Sequence, residues 1–166
     1  MTTTTARTIS HHSGATTPES IRPGRTLRDP AFQAYLALRT AFVAAPILFG
    51  LDKFFNWMTY WPKYLWIGIP DFISVSPQHF MYAVGVVEIA AGLLVLAWPR
   101  VGSWVVAAWL AGIVTNLVIQ SIAIGGHTQV FWDIALRDFG LMIAAIALAR
   151  LATVFAPALP YGAKSR

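Results

Sequence analysis

The chain has 166 residues, of which 57% are hydrophobic and 11% are charged, and its mean hydropathy is +0.60. This composition excludes a water-soluble globular domain and predicts an integral membrane protein surrounded by the lipid bilayer. The formal net charge of +5 does not indicate nucleic acid as a partner, because the basic residues flank apolar segments and form no patch interleaved with aromatic residues. The chain has no cysteine, which excludes disulfides and iron–sulfur ligation by its own residues.

Residues 1–30 are rich in Thr, Ser, Arg, Gly and Pro and contain no long apolar run. We therefore expect a disordered, basic cytoplasmic arm rather than a secretory signal. Its Arg-rich and acid-poor composition leaves a mitochondrial transit peptide as a less favoured alternative. Residues 31–156 are expected to form one membrane domain, and residues 157–166 a C-terminal tail.

Four apolar segments predict membrane-spanning helices at about 34–55, 78–98, 103–124 and 130–151. At ~1.5 Å per residue, each segment is about long enough to cross a bilayer. Pro46 is expected to kink the first helix. Residues 56–77 are dense in aromatic side chains but interrupted by proline and charge, so they predict an interfacial connector. Residues 99–102 are expected to form a short turn, and the predicted fold class is an all-α transmembrane four-helix bundle.

The basic residues predict the orientation of the chain. Nine of the 12 lie in segments that share one side of the membrane, and three lie on the other side. By the positive-inside rule both termini are cytoplasmic, and we expect the membrane to be a bacterial plasma membrane. The nine are Arg7, Arg22, Arg25, Arg28, Arg39, Arg100, Arg150, Lys164 and Arg166, and the three are Lys53, Lys63 and Arg137.

Glu88 lies near the middle of the otherwise uncharged second segment. A carboxylate there costs several kcal/mol unless it is paired, protonated or turned to a polar cavity, so Glu88 is a candidate proton donor. The other polar residues of the membrane domain gather in the half away from the cytoplasm. They are Asp52, Lys53, Asn116, Gln120, Asp133, Arg137 and Asp138.

The spacing of these residues predicts how they pair. Asp133 and Arg137 are one helical turn apart with the acid first, which favours an ion pair and leaves Asp138 free to meet Lys53 or a polar group of another helix. Two interpretations follow. The polar groups either form buried salt bridges that only fix the register of the helices, or they line a ligand pocket with a path for protons.

Several short motifs follow one another along the membrane domain. They are an arginine early in the first segment, GLDK at 50–53, VEIAAG at 87–92, a short turn into the third segment, and Asp133 followed by Arg137 and Asp138. This order resembles the DoxX family over about residues 38–151. The resemblance implies a four-helix membrane subunit of a complex for quinone-linked sulfur oxidation or another membrane redox reaction with soluble partners, rather than an enzyme by itself. It matches Lys53, Glu88, Arg137 and Asp138 to polar positions of the family.

Our first functional hypothesis is a subunit of a respiratory, quinone-linked oxidoreductase complex. A quinone needs apolar walls, a donor at each carbonyl and a source of protons. Glu88 is the candidate proton donor of this pocket. The candidate pocket residues are Lys53, Asn116, Arg137 and Asp138, and Phe54, Trp57 and Trp132 are candidates for its entrance.

Two other hypotheses remain open. The chain is alternatively a non-catalytic membrane anchor or assembly subunit, for example of a succinate dehydrogenase-like module, with the basic arm as a contact. Ligation of haem b by His79 and His127 is less favoured, because both lie at the ends of predicted spans, whereas bundle haems are usually held inside them. The sequence has no histidine cluster with metal-ligand spacing.

Overall fold

The computed structural model describes residues 26–65, 75–123 and 131–156. These residues form helices α1 (Pro30–Phe55), α2 (Pro77–Ala97), α3 (Pro99–Ala123) and α4 (Trp132–Phe155), with a short 3-10 helix (Trp61–Tyr64) after α1. All four α-helices are long and apolar enough to cross a membrane, which confirms the predicted all-α class and the number of helices of spanning length. The first 25 residues of the arm, residues 66–74 of the connector, His127 and the tail lie outside the described residues.

Local sequence explains where α1 begins and ends. The helix begins four residues before the predicted span, because the side chain of Asp29 accepts a hydrogen bond from the Ala31 N–H at 2.9 Å and Pro30 suits the first turn. It continues through Pro46 and ends at Phe55, where Asn56 adopts a left-handed conformation with φ of 53°.

The predicted turn at 99–102 is wrong, because these residues form the first turn of α3. Pro99 is compatible with a helix start, and only Trp98 separates α2 from α3. The hairpin is tight because Gly102 lies directly against the backbone of Leu94 and Val95, where a Cβ atom would overlap.

The helices pack as antiparallel neighbours around one bundle. The α1 helix packs mainly against α2, and α3 mainly against α4, while smaller α2–α3 and α1–α4 contacts complete the bundle. The α1–α2 contact is close because a Cβ atom on Gly50 or Gly85 would come within 2.6 Å of the carbonyl oxygen of the other glycine. Gly92 lies in the same way against Val43 and Ile47. Small residues at these points let two backbones approach.

The two ends of the bundle differ in chemistry. At one end, which we call the basic end, Arg39 donates to the Leu96 carbonyl at 2.7 Å and Arg100 donates to the Thr153 carbonyl at 3.0 Å. These contacts satisfy the last carbonyls of α2 and α4. Residues 56–65, which we call the cap, lie at the other end over the C-terminus of α1.

The apolar core occupies the half of the bundle nearer the basic end. Its buried members include Tyr35, Phe42, Val95, Val106, Leu148 and Phe155. A smaller cluster of Leu117, Phe131 and Ala135 lies under Tyr64 of the cap. Many large apolar side chains face outward instead, as expected for helices whose solvent is lipid.

Candidate functional site

The α1–α2 contact brings a lysine and a glutamate together inside the bundle. The Lys53 Nζ lies 2.6 Å from the Glu88 Oε2, and the two residues are 4% and 8% exposed. Lys53 is two residues from the end of α1, whereas Glu88 lies in the middle of α2. They meet because Gly85 lies against the Cβ of Lys53, so the two helices cross beside the pair. A short charge-assisted bond of this kind is among the stronger contacts in a protein.

Trp61 of the cap covers this ion pair. Its ring centroid lies 3.8 Å from the Lys53 Nζ, which is a cation–π contact. Its indole N–H donates to the Asp52 Oδ2 at 2.7 Å, and its ring meets Phe49 edge-on. The Trp61 indole therefore contacts the Lys53 ammonium on one side, and its own position is fixed by the hydrogen bond to Asp52.

Asp52 organises the cap rather than facing the ion pair. Its Oδ1 accepts the backbone N–H of Trp57 at 3.0 Å and of Met58 at 3.1 Å, in addition to the indole of Trp61 on Oδ2. Asp52 is buried, and these donors replace the water that its charge loses. Sequence analysis identifies Asp52 only as one of several polar groups, because its role depends on how the chain turns back after α1, which cannot be deduced from spacing.

Gln78 and Asn56 connect the end of α1 and the start of the cap to α2. The Gln78 Nε2 donates to the Lys53 carbonyl at 3.2 Å, and the Asn56 Nδ2 donates to the Gln78 Oε1 at 3.3 Å. Asn56 also accepts the Trp61 N–H on its side chain at 3.4 Å. The cap is therefore tied to both α1 and α2.

Asn116, a predicted pocket residue, supports the cap from α3. Its Nδ2 donates to the Tyr64 carbonyl at 2.8 Å, and Tyr64 meets the ring of Phe131 edge-on. Asn116 therefore helps to hold the cap between α3 and the start of α4.

The predicted pairing within α4 is wrong. The Arg137 Nε donates to the Asp138 Oδ1 at 2.9 Å, rather than pairing with Asp133. The two partners are adjacent in sequence, so the Arg137 side chain points outward and is 62% exposed while that of Asp138 points inward and is 8% exposed. Of the two partners expected for Asp138, Lys53 is wrong, because Lys53 pairs with Glu88. Asp138 nevertheless lies close enough to Glu88 for an electrostatic interaction.

Trp109 of α3 completes the surroundings of Glu88. Its indole is directed toward Glu88 but forms no hydrogen bond of ordinary geometry, and its Nε1 is buried. The Gln120 Oε1 is likewise buried without a partner among the described residues. Trp109 and Gln120 share a helix face with Asn116, since they are spaced at seven and four residues. The sequence interpretation missed Trp109, because one more tryptophan in an apolar span carries no positional signal.

The remaining candidates do not join this site. His79 lies near the N-terminus of α2, where its backbone N–H donates to Ser76 and its ring contacts the same serine. His127 lies outside the described residues, so the haem hypothesis stays untested. Phe54 stacks on Tyr82, and Trp57 stacks on Phe55. Within residues 26–65, 75–123 and 131–156, no group of three or more acidic or histidine side chains could hold a metal ion.

Comparison of the chain with known protein families, with curated proteins and with solved structures gives no match. The resemblance to the DoxX family therefore depends on the motifs quoted above. The site itself is a buried ion pair with a second carboxylate and an indole N–H beside it, under an aromatic cap. Chemically, it can offer a cationic donor and a carboxylate that lie within hydrogen-bonding distance of each other.

Proposed function

We propose that the chain is a DoxX-like integral membrane subunit of a quinone-linked oxidoreductase complex. The observation that carries the proposal is the buried ion pair of Lys53 and Glu88. Burying two charges costs free energy that their attraction only partly offsets, and well-packed apolar residues would hold two helices at least as well. Ionisable residues inside a membrane bundle are therefore a mark of function.

The donors around the pair suit a quinone. Each carbonyl oxygen of a quinone accepts hydrogen bonds, and the Lys53 ammonium and the Trp109 indole are donors beside Glu88. A bound quinone would supply the redox chemistry, with electrons from a flavin or iron–sulfur cluster of a partner subunit, since this chain has no cysteine to ligate a cluster.

The chain's own residues would bind the quinone and supply protons. Lys53 would bind a quinone oxygen, and the Lys53–Glu88 pair would transfer a proton to it and be reprotonated from the aqueous side. Arg137 and Asn116, two of the predicted pocket residues, are assigned supporting roles, because they bind Asp138 and the cap. Trp61 must move for Lys53 to reach a ligand, since the indole covers it.

We place the chain in a bacterial plasma membrane with both termini cytoplasmic. Arg39 and Arg100 lie at the basic end of the bundle, which supports a cytoplasmic position for that end by the positive-inside rule. The cap then lies at the opposite interface, where exposed tryptophan and tyrosine side chains suit the headgroup layer.

The proposal is tested on the complex isolated through a C-terminal tag in mild detergent. We expect flavin or iron–sulfur subunits to co-purify in stoichiometric amount, and Glu88→Gln to lower quinone-dependent turnover. The matched control is Asp133→Asn, since Asp133 is an exposed acid of α4 outside the ion pairs described. Unchanged turnover in Glu88→Gln would remove Glu88 from proton transfer, and a chain that purifies alone would refute the complex.

A non-catalytic anchor or assembly subunit, for example of a succinate dehydrogenase-like module, is the second candidate. It is favoured by one observation: Lys53, Glu88, Asp52 and Asp138 all have partners inside the chain. In that case the polar groups fix helix register, and the basic arm contacts the partner. Deleting residues 1–25 would then detach the partner. The bundle would stay folded, because Asp29, the N-cap residue of α1, is retained. Retention of the partner would contradict the docking role of the arm.

A further inference from the structure

The outward face of α4 carries two charges of opposite sign. Asp133 and Arg137 lie one helical turn apart on this face, and both are exposed. Gly140 and Ala147 continue the same line at spacings of three and seven residues, and both are exposed as well. A Cβ atom added to Gly140 would meet nothing within 4 Å. We call residues 133, 137, 140 and 147 the α4 face.

The Arg137 guanidinium is held inside the helix span rather than at its end. Arg137 lies five residues, ~8 Å, into α4, and its Nε is bound at 2.9 Å to the buried Asp138. Asp138 in turn lies within electrostatic reach of Glu88 in the middle of α2. Charged residues at such a depth almost always face protein or a polar cavity. An arginine that is 62% exposed there indicates that protein covers the α4 face in the membrane.

Both charges on this face have bonding capacity left. A guanidinium has five N–H donors, and the Arg137 guanidinium uses one of them for Asp138. Among residues 26–65, 75–123 and 131–156, the Asp133 carboxylate accepts no hydrogen bond and forms no ion pair. Whatever covers the α4 face must therefore offer an acceptor to Arg137 and a donor to Asp133.

A second copy of the chain offers both groups at the right positions. Under a two-fold axis parallel to α4, Arg137 of each copy lies beside Asp133 of the other, so the same ion pair forms twice. The two positions differ by four residues, ~6 Å along the helix, and charged side chains bridge similar offsets in parallel coiled coils. Gly140 lies near the axis, where its lack of a side chain lets the two helices approach.

Lipid suits the α4 face less well. Asp133 lies one turn nearer than Arg137 to the start of α4, so a phosphate reaching the guanidinium from the nearer headgroup layer would pass a carboxylate of like charge. An acyl chain offers neither charge a partner, which leaves both at a cost in free energy. The second copy is the occupant that matches both signs.

We propose that the chain forms a symmetric dimer in which α4 packs against α4 of a second copy. Two ion pairs between Arg137 and Asp133 hold the contact, and the helices approach at Gly140. Leu136 and Ile143 are 71% and 50% exposed beside this line and pack across the same contact. Close packing of this kind drives helix association in lipid, where apolar burial by itself gives little.

The dimer goes beyond the proposed redox function and is independent of it. The ion pair of Lys53 and Glu88 lies within one copy, between α1 and α2. Loss of the dimer should therefore leave quinone-dependent turnover unchanged, and Asp133→Asn remains a valid control in that assay. A failure of the dimer and a failure of the redox proposal are thus observed separately.

The test is disulfide crosslinking of the full-length chain, diluted in liposomes and oxidised with copper phenanthroline. The chain has no cysteine, so Gly140→Cys introduces a single thiol that should crosslink to the same position of a second copy. Val86→Cys is the matched control, because Val86 is exposed at a similar depth on α2, diagonally across the bundle from α4. Equal yields of dimer from the two variants would overturn the proposal.

Charge variants in the Gly140→Cys background test the ion pairs. Asp133→Arg places like charges opposite each other, so the crosslinked fraction should fall about tenfold. Asp133→Glu keeps the charge and should preserve crosslinking. Asp133 is exposed, so neither change is expected to prevent folding. Undiminished crosslinking in Asp133→Arg would rule out the ion pairs and, with them, the proposed interface.

Two other outcomes also count against the dimer. If Gly140→Cys crosslinks to a different protein and not to itself, the α4 face binds a partner subunit and the proposal is wrong. If Gly140→Cys yields no crosslink, while native mass spectrometry shows an anionic phospholipid that is lost in Arg137→Gln, lipid occupies the face instead.

Discussion

The Lys53 Nζ and the Glu88 Oε2 lie 2.6 Å apart in the contact between α1 and α2. The two residues are 35 positions apart in the sequence, and one of them comes from the end of its helix. Removing either partner would leave the other as a buried, uncompensated charge. A substitution at Lys53 or Glu88 is therefore expected to change the stability of the bundle as well as any chemistry at the site.

We predict that Lys53→Met destabilises the bundle strongly, because it leaves Glu88 buried without its cation. The expected loss is about 3 kcal/mol in the free energy of unfolding. Replacing both residues, as Lys53→Met with Glu88→Leu, should restore most of it, because no charge is then left unpaired. The measurement is denaturant unfolding in mixed micelles, analysed as a double-mutant cycle. Additive losses would show that the two side chains do not interact.

A second prediction concerns the glycines of the α1–α2 contact. Gly85→Ala places a Cβ atom within 2.6 Å of the Gly50 carbonyl oxygen, so the helices must separate. We expect a loss of about 1–3 kcal/mol in the same unfolding assay. Gly112→Ala is the matched control, since a Cβ atom there meets nothing within 4 Å and alanine favours the helix. Equal effects at both glycines would contradict the close contact.

A third prediction is that Trp61 shields the Lys53 amine from water. The chain has three lysines, Lys53, Lys63 and Lys164, so a water-soluble acylating reagent can be followed at each by mass spectrometry. Lys63 is exposed and serves as the internal reference, whereas Lys53 should react very little. In Trp61→Ala the reactivity of Lys53 should rise toward that of Lys63.

The control for this experiment is Trp57→Ala. Trp57 is also in the cap, but its side chain is far more exposed and stacks on Phe55 rather than on the lysine. In Trp57→Ala the Lys53 amine should therefore remain unreactive toward the acylating reagent. Equal labelling of Lys53 in the parent chain and in Trp61→Ala would show that the indole is not the barrier.

A fourth prediction tests the orientation of the bundle. Since the chain has no cysteine, single cysteines can be introduced without a background signal. Trp57→Cys lies in the cap and Arg150→Cys in the last turns of α4 toward the basic end, and both positions are exposed. A membrane-impermeant thiol reagent added to intact cells should label the first and not the second. The reverse pattern would place the basic end outside.

Much of the fold could be predicted from the sequence. Long apolar runs determine the spans, because a helix in lipid must satisfy its backbone internally and needs about 20 apolar residues to cross. Local signals explain the ends of α1, where Asp29 and Pro30 are typical of a helix start. The turn at 99–102 was mispredicted, because Pro99 fits the first turn of a helix as well as a loop.

The candidate site could be predicted only in part. Glu88 and Lys53 were identified as polar residues in an apolar setting, but not as partners of each other. The α4 pairing was mispredicted, because spacing along one helix gives the faces that residues share and not which face turns inward. The role of Trp61 depends on the path of the cap, which has no periodic pattern to reveal it.

By itself, the sequence determined that this chain is all-helical, with four helices long and apolar enough to cross a membrane and a few charged residues within them. Hydropathy and length decide that much, since both act residue by residue along the chain. The tertiary structure alone decided that Lys53 meets Glu88, that Asp52 holds the cap and that Trp61 covers the pair. Those contacts depend on the rotation and the close approach of α1 and α2 at Gly50 and Gly85, which are set by packing between distant segments.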